Sequence, residues 1–217
     1  PERRTENPTV LSRCFLPTVA SDRVLLPPDE AHHVARVLRL GVGAAVVVFD
    51  GRGHEWDARI ATIDRRDVAI EIVAPRTPIA EPDVAVTLAI ALLKGDQMTT
   101  VVRDATALGV AAIQPFVSSH VTVPERAWRE RSSERWQRVA VASAKQCGRA
   151  VVPAIHDVTT HAEILEGAGD DLVVCCVEPA LAVALATERP IARPPAGRAW
   201  LCIGPEGGWS AVEIALA

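Results

Sequence analysis

The chain has 217 residues, 49% of them hydrophobic, and a net charge of −4. That supports a substantial core in one large domain or two small ones. It argues against a strongly basic nucleic-acid-coating protein, and no apolar run approaches the roughly 18 residues needed to span a bilayer. Cys14, Cys147, Cys175, Cys176 and Cys202 include no C-x-x-C pair, so no metal and no redox dithiol is expected. Cys175, Cys176 and Cys202 lie in apolar runs and are read as small core residues. No secretory signal opens the chain, so a reducing cytoplasm is the expected compartment.

Residues 1–10 are polar and read as a loose tail, and residues 11–75 read as β-rich. Ala44–Phe49 is an apolar run, and Asp50-Gly51-Arg52-Gly53 is a turn signal. Trp56, Ala58 and Ile60 then alternate with Glu55, Asp57 and Arg59, and Val68, Ile70 and Ile72 alternate with Ala69 and Glu71. Period two between turn signals predicts antiparallel strands of a small sheet or barrel. One helix interrupts them from Asp29 to Leu40, with Gly41 and Gly43 beyond it, and His32, Arg36 and Arg39 on one face. Residues 76–83 hold two prolines and read as a linker.

The rhythm changes at Val84. Val84–Leu93 is a nearly continuous apolar run, as in a strand buried on both faces. A helix follows over 96–108, with Met98, Val101, Val102, Ala105 and Leu108 on its inner side and Gly109 as its C-terminal cap. Further on come a strand at Ala111–Val117, a long helix over 126–147, a strand at Asp171–Val177, a short helix over 179–187 and a strand at Ala199–Ile203. Strands alternating with helices predict a parallel sheet with crossover connections.

Arg131, Arg135, Arg138, Lys145 and Arg149 fall at helical spacing on one face, opposite Trp136, Val139, Ala140, Ala144 and Cys147. Such a stripe is either a track for backbone phosphates or an ordinary solvated face, which Glu125, Glu130 and Glu134 would partly neutralise. Lys94 closes the first strand of the second region and is a candidate ligand or phosphate contact. His120, His156 and His161 follow no ligand spacing and read as structural or surface residues. No G-x-S-x-G, phosphate-binding G-x-x-x-x-G-K-[ST] or G-x-G-x-x-G occurs, which excludes the common hydrolase, NTPase and dehydrogenase signatures. The apolar run at Trp200–Ile203 stops at Gly204-Pro205-Glu206-Gly207-Gly208, followed by Trp209 and by Ser210 and Glu213 at capping-box spacing. Strand, tight loop and helix make this either a ligand-binding turn or an ordinary tight strand-to-helix connection. The negative Glu206 disfavours phosphate and suits a ligand of positive character.

Several segments in this order resemble one family. The loop Ile203–Ser210 with Glu213-Ile214 is similar to the cofactor loop of the 16S rRNA (uracil-N3) methyltransferases of the knotted SPOUT superfamily. His33–Leu40 with Phe49-Asp50-Gly51 resembles their N-terminal PUA-like RNA-binding domain. Lys94–Met98 and Ala107–Val110 resemble the first βα unit of the methyltransferase domain, and Ala144–Arg149 with Val152-Pro153 its central motif. The likeness runs from about Cys14 to the last residue. It implies an α+β protein of two domains, a PUA-like β-barrel at 11–75 and an α/β SPOUT domain with a trefoil knot at 84–217. It also implies S-adenosylmethionine as cofactor, one uridine of 16S rRNA in the small ribosomal subunit as target, and a homodimer. Carried over by position, Val177, Glu178, Ile203, Gly204, Pro205, Glu206, Gly207 and Gly208 would line the cofactor site. Arg13, Arg36, Arg39, Lys145, Gln146 and Arg149 would face RNA, beside Lys94, Arg135 and Arg138. The family pattern continues past this loop with a second motif that would complete the knot and the adenine pocket, so the sequence ending at Ala217 is expected to lack part of the site and its catalytic residues. A non-catalytic RNA-binding protein, or a SPOUT methyltransferase acting at another RNA position, are the alternative readings.

Overall fold

The computed structural model describes residues 11–65, 67–121, 132–177, 194 and 197–216, and it divides into two compact units. The first runs to Ile79 and also takes in Lys145–Val151; the second comprises Ala80–Ala144 and Val152–Ala217. The expected tail at 1–10, the helix segment at 126–131 and the helix at 179–187 lie outside the described residues.

The first unit contains β1 (Ser12–Phe15), β2 (Arg23–Leu25), α1 (Pro28–His32), β3 (Ala45–Phe49), β4 (Glu55–Ile63) and β5 (Val68–Arg76). They form a five-stranded sheet in the order β1-β3-β4-β5-β2. The period-two pattern is realised as antiparallel β3–β4, β4–β5 and β2–β5 pairs, but β1 runs parallel to β3. Cys14, Val34, Val46, Val48, Ile60, Val68 and Ile70 are buried together as its core.

The helix predicted over Asp29–Leu40 is shorter and irregular. It passes from α1 into a π turn at His33–Val37, where Leu38 N–H bonds the His33 carbonyl five residues back. Arg39 then takes a left-handed φ of 53°, so it leaves the helix and does not share a face with His32 and Arg36. The reason is local: a π turn displaces every later residue from the 3.6-residue period.

Further corrections concern charge. Glu55, expected on the polar face of β4, is only 4% exposed, and Arg13, expected to reach RNA, donates to its carboxylate. The Arg13 guanidinium also lies 4.8 Å from the Phe49 ring centroid and donates to the Arg149 carbonyl at 3.0 Å. Lys145 Nζ sits 2.8 Å from both oxygens of Glu30. Gly53 N–H bonds the Ala150 carbonyl, and Val151 bridges Gly51 and Arg52. These contacts incorporate Lys145–Val151 into the first unit. Arg149, expected to face RNA, is 6% exposed.

The second unit is built on a sheet of parallel pairings, ordered β10-β11-β6-β7-β8, with β9 also on β7. Its strands are β6 (Ala85–Ala91), β7 (Ala112–Val117), β8 (Ala154–Ile155), β9 (Thr159–Thr160), β10 (Leu172–Cys176) and β11 (Arg198–Ile203). Its helices are α2 (Gln97–Leu108), α3 (Ser132–Cys147), α4 (His161–Ala168) and α5 (Ala211–Leu216), the last residues of α3 belonging to the first unit. α2 buries Met98, Val102, Ala105 and Thr106 and ends at Gly109 with φ 99°. Leu108, predicted inward, is 83% exposed, because Thr106 takes the inner place and returns its hydroxyl to the Val102 carbonyl. α3 buries Trp136, Ala140 and Ala144, as its spacing predicts.

Replacing Glu55 with Ala should lower the free energy of unfolding by about 3 kcal/mol, because it strands a buried guanidinium. The joint substitution Arg13→Met with Glu55→Leu should recover most of that loss in urea denaturation.

Candidate functional site

In the parallel sheet, Ala91, Phe116, Cys176 and Ile203 lie at the carboxyl ends of their strands. The chain lays β7 and β8 on one side of β6, and β11 with β10 on the other. The carboxyl ends beside β6 therefore form a topological switch point, where ligands of open α/β sheets bind. The Gly204–Gly208 loop leaves β11 there. Its turn is closed by Gly208 N–H on the Pro205 carbonyl at 2.9 Å, and Gly208 needs its φ of +74°.

One side chain organises the surroundings of this turn. The Trp209 indole N–H donates to the Cys176 carbonyl at 2.8 Å, tying the loop after β11 to the end of β10. The indole stacks on Phe116 of β7, with centroids 5.9 Å apart and planes at 16°, and meets the His161 ring of α4 at 4.9 Å. A Cβ on Gly204 would come within 2.8 Å of the same indole, and one on Gly207 within 3.2 Å of His120 Cβ. The loop glycines thus have internal reasons: Gly204 admits Trp209, Gly207 admits His120, and Gly208 turns the chain.

Glu213 supplies the second anchor. Ser210 and Glu213 form the expected capping box, with Ser210 N–H and Oγ both on Oε2 at 2.9 and 2.8 Å and Glu213 N–H on Ser210 Oγ at 3.3 Å. Its other oxygen accepts Ser119 N–H at 3.0 Å, from the loop after β7. The carboxylate is 6% exposed. Burial alone raises its pKa, but the N–H groups of Ser210 and Ser119 and the Ser210 hydroxyl outweigh this and lower it to about 2. His120 Nδ1–H donates to the Gly208 carbonyl at 3.1 Å, a third link between the two loops. Behind them His161 is 3% exposed, with neither ring nitrogen hydrogen-bonded. Burial pushes its pKa down, against a smaller opposite pull from Glu213.

The positions expected at the cofactor site divide clearly. Pro205 and Gly208 are buried, Val177, Ile203 and Gly204 half-buried, and Glu206 and Gly207 exposed. Glu178 lies outside the described residues. Cys176, expected in the core, is exposed at the carboxyl end of β10, whereas Cys202 is fully buried. Among the expected RNA contacts, Arg36, Arg39, Lys94, Arg135, Arg138 and Gln146 are exposed. Arg135 meets Asp96 at 2.5 Å in an exposed pair, and Arg138 turns back to the Glu134 carbonyl. Arg131 lies outside the described residues. Arg13, Lys145 and Arg149 are engaged inside the first unit, so the helical stripe is not one continuous cationic face. Sequence reading missed His120 and Ser119 as neighbours of the loop, whereas Trp209 and Glu213 stood in the segment that carries the resemblance, Glu213 also at capping-box spacing. Among the described residues no group of His, Cys, Asp and Glu is placed to hold a metal ion, and no helix is long and apolar enough to cross a membrane.

Comparison with known proteins adds a family match to this geometry. A family described as an RNA methyltransferase domain matches residues 80–217, and one described as an RNA methyltransferase PUA domain matches residues 26–73. The ribosomal RNA small subunit methyltransferase E of Synechocystis is 32% identical over 197 residues, which cover 89% of this chain and 63% of that protein. This chain thus spans less than two thirds of that relative's length. The Bacillus subtilis protein of the same name is 26% identical over 193 residues, 86% of this chain and 75% of its own. A crystal structure of the Neisseria gonorrhoeae protein of that name, bound to S-adenosylmethionine, matches with a TM-score of 0.79 at 27% identity, over 95% of this chain and 85% of its own. A Legionella pneumophila structure solved with the same compound bound gives a TM-score of 0.81 at 25% identity, over 95% and 84%.

The strap set by Glu213 makes stability depend on acid. Its pKa is depressed from 4.5 to about 2, so the contribution is full above pH 4.5 and is lost as pH falls toward 2. Glu213→Gln should destabilise the protein by about 1–3 kcal/mol at neutral pH and flatten the stability profile within that window. Gly204→Ala should lower the free energy of unfolding by about 1–3 kcal/mol, because the indole must shift. Thermal and urea unfolding across pH measure both, and wild-type profiles for either variant would contradict the described packing.

Proposed function

The chain belongs to the RNA methyltransferase family, with the methyltransferase domain over residues 80–217 and the PUA domain over 26–73, and from that premise we propose that it methylates N3 of one uridine in 16S rRNA with S-adenosylmethionine as methyl donor. The observation that carries this reading is the open edge of the anchored loop. Glu206 and Gly207 are exposed between the buried Pro205 and Gly208. They offer a carboxylate and backbone groups at the carboxyl ends of β10 and β11. That set fits a cationic ligand rich in hydroxyl and amine donors, and it disfavours a phosphate. The bound cofactor supplies an electrophilic methyl group on a sulfonium sulfur.

In this reading Val177, Glu178 and Ile203–Gly208 hold the cofactor, with Glu206 as a hydrogen-bond acceptor and not as the base. The chain's work is positional: the Trp209, Glu213 and His120 anchors fix the loop before the cofactor arrives, so orientation is set in advance. The target base has to be unstacked or presented in single-stranded RNA for its N3 to be reached. Arg36, Arg39, Lys94, Arg135, Arg138 and Gln146 are the exposed groups offered to the RNA backbone. A homodimer acting in the cytoplasm on the small ribosomal subunit belongs to the same reading.

Isothermal titration on the full-length protein should detect S-adenosylmethionine binding, and Glu206→Gln should weaken it about tenfold or more, the scale of a hydrogen bond to a charged group. Incubation with unmodified small-subunit particles should yield N3-methyluridine by mass spectrometry of nucleosides. Absence of both binding and product would replace this reading with that of a non-catalytic RNA-binding protein, and methylation at another atom would redirect the specificity.

A further inference from the structure

The first unit contains a cavity of about 380 Å³ between the α1 and π-turn segment on one side and the β4–β5 hairpin on the other. Its apolar wall is Ala31, Ala35 and Ile63. Its polar rim is His32, Arg36 and Arg65, with the carboxylate of Asp64 beside them. The volume falls in the range of small-molecule sites. We propose that this cavity seats one unstacked nucleotide of the substrate RNA, with the base against the apolar wall and its phosphate on Arg36 and Arg65. The inference rests on the RNA-methylating reading and adds a recognition pocket in the first unit.

Three observations carry it. The first is charge left unused. Elsewhere in this unit Arg13 lies on Glu55, Arg76 on Asp57 and Lys145 on Glu30, while among the described residues the side chains of Arg23, Arg39, Arg52 and Arg59 are unpaired but do not line this cavity. Among the described residues, His32, Arg36 and Arg65 make no side-chain hydrogen bond or ion pair, although all three converge on one cavity. The second is the backbone. The π turn at His33–Val37 carries Arg36, and Arg39 just beyond it has φ +53°. π turns and left-handed non-glycine residues concentrate at binding sites. The third is the mixture of groups. A bare phosphate would be repelled by Asp64, and an apolar ligand would leave the guanidiniums unsatisfied. A nucleotide answers both, with a phosphate for the guanidiniums and base N–H or ribose 2′-hydroxyl donors for Asp64. Single-stranded RNA is the form in which bases can be splayed into such pockets.

The test uses the full chain, a short fluorescent single-stranded oligouridine, a duplex of equal length, and anisotropy across a salt series. Wild type should prefer the single strand. The double variant Arg36→Ala with Arg65→Ala should lose about tenfold or more in affinity, and its log–log salt slope should fall by about 0.7, the value for one phosphate contact on a single strand. Ala35→Phe fills the cavity without touching charge, so it should lose affinity comparably while keeping the wild-type slope. Should thermal unfolding show that variant misfolded, Ile63→Phe fills the cavity from the opposite wall. All variants should bind S-adenosylmethionine as wild type does. Wild-type affinity in the filled variant, or an unchanged slope in the double variant, overturns the pocket while the methyltransferase reading stands. A wild-type chain that neither binds nor methylates RNA overturns the reading itself.

Discussion

Four pieces of the second unit meet on the indole of Trp209. Its N–H satisfies the last carbonyl of β10, its face lies on Phe116 of β7, its edge meets His161 of α4, and its bulk occupies the space that a side chain at position 204 would need. Without that wedge, the ends of three strands would have no common filling, and the loop after β11 would have no fixed course. A large aromatic with one donor suits this role, since it fills volume and still answers the carbonyl at the end of β10. The exposed edge of Glu206 and Gly207 can be held still only because the other side of the turn is packed.

Glu213 adds an electrostatic anchor to that steric one. A single carboxylate caps its own helix and also accepts an N–H donated from the loop after β7, 94 residues away. Charge-assisted bonds of this kind are among the stronger ones available to a protein. Together the two residues explain why the loop is rich in glycine. Two of its glycines, Gly204 and Gly207, leave room for Trp209 and His120 within the protein.

Basic residues in the first unit do a different kind of work from the one their number suggests. Arg13 and Lys145 hold Lys145–Val151 against Glu55, Glu30 and the edge of the sheet. Their partners come from 42 and 115 positions away in the chain. Helical spacing put Lys145 and Arg149 in one stripe with Arg135 and Arg138, but spacing describes a lone helix and does not know where its end is buried. Arg36 and Arg65, which have no such partners, line the cavity beside α1, where the folding of the β4–β5 hairpin places Arg65 on the same cavity as Arg36.

Local rules made much of the fold legible. Alternation marked β4 and β5, apolar runs marked β6, β7 and β11, and glycine and the S-x-x-E spacing marked the ends of α2 and the start of α5. The Gly-Pro-Glu-Gly-Gly segment could be recognised as a tight strand-to-helix turn because strand, turn and cap are all written within a few residues. The direction of β1 was not legible, because period two is the same for the parallel β1–β3 pair as for its antiparallel neighbours. Nor was the π turn, which shifts a helix by one residue without changing its composition, nor the inward Glu55, whose partner is remote. The sequence by itself therefore determined the elements, the two-part organisation and the position of the loop. Tertiary structure alone decided which charges are consumed in holding the chain together and which remain free for a ligand, because that depends on pairs brought together from distant segments.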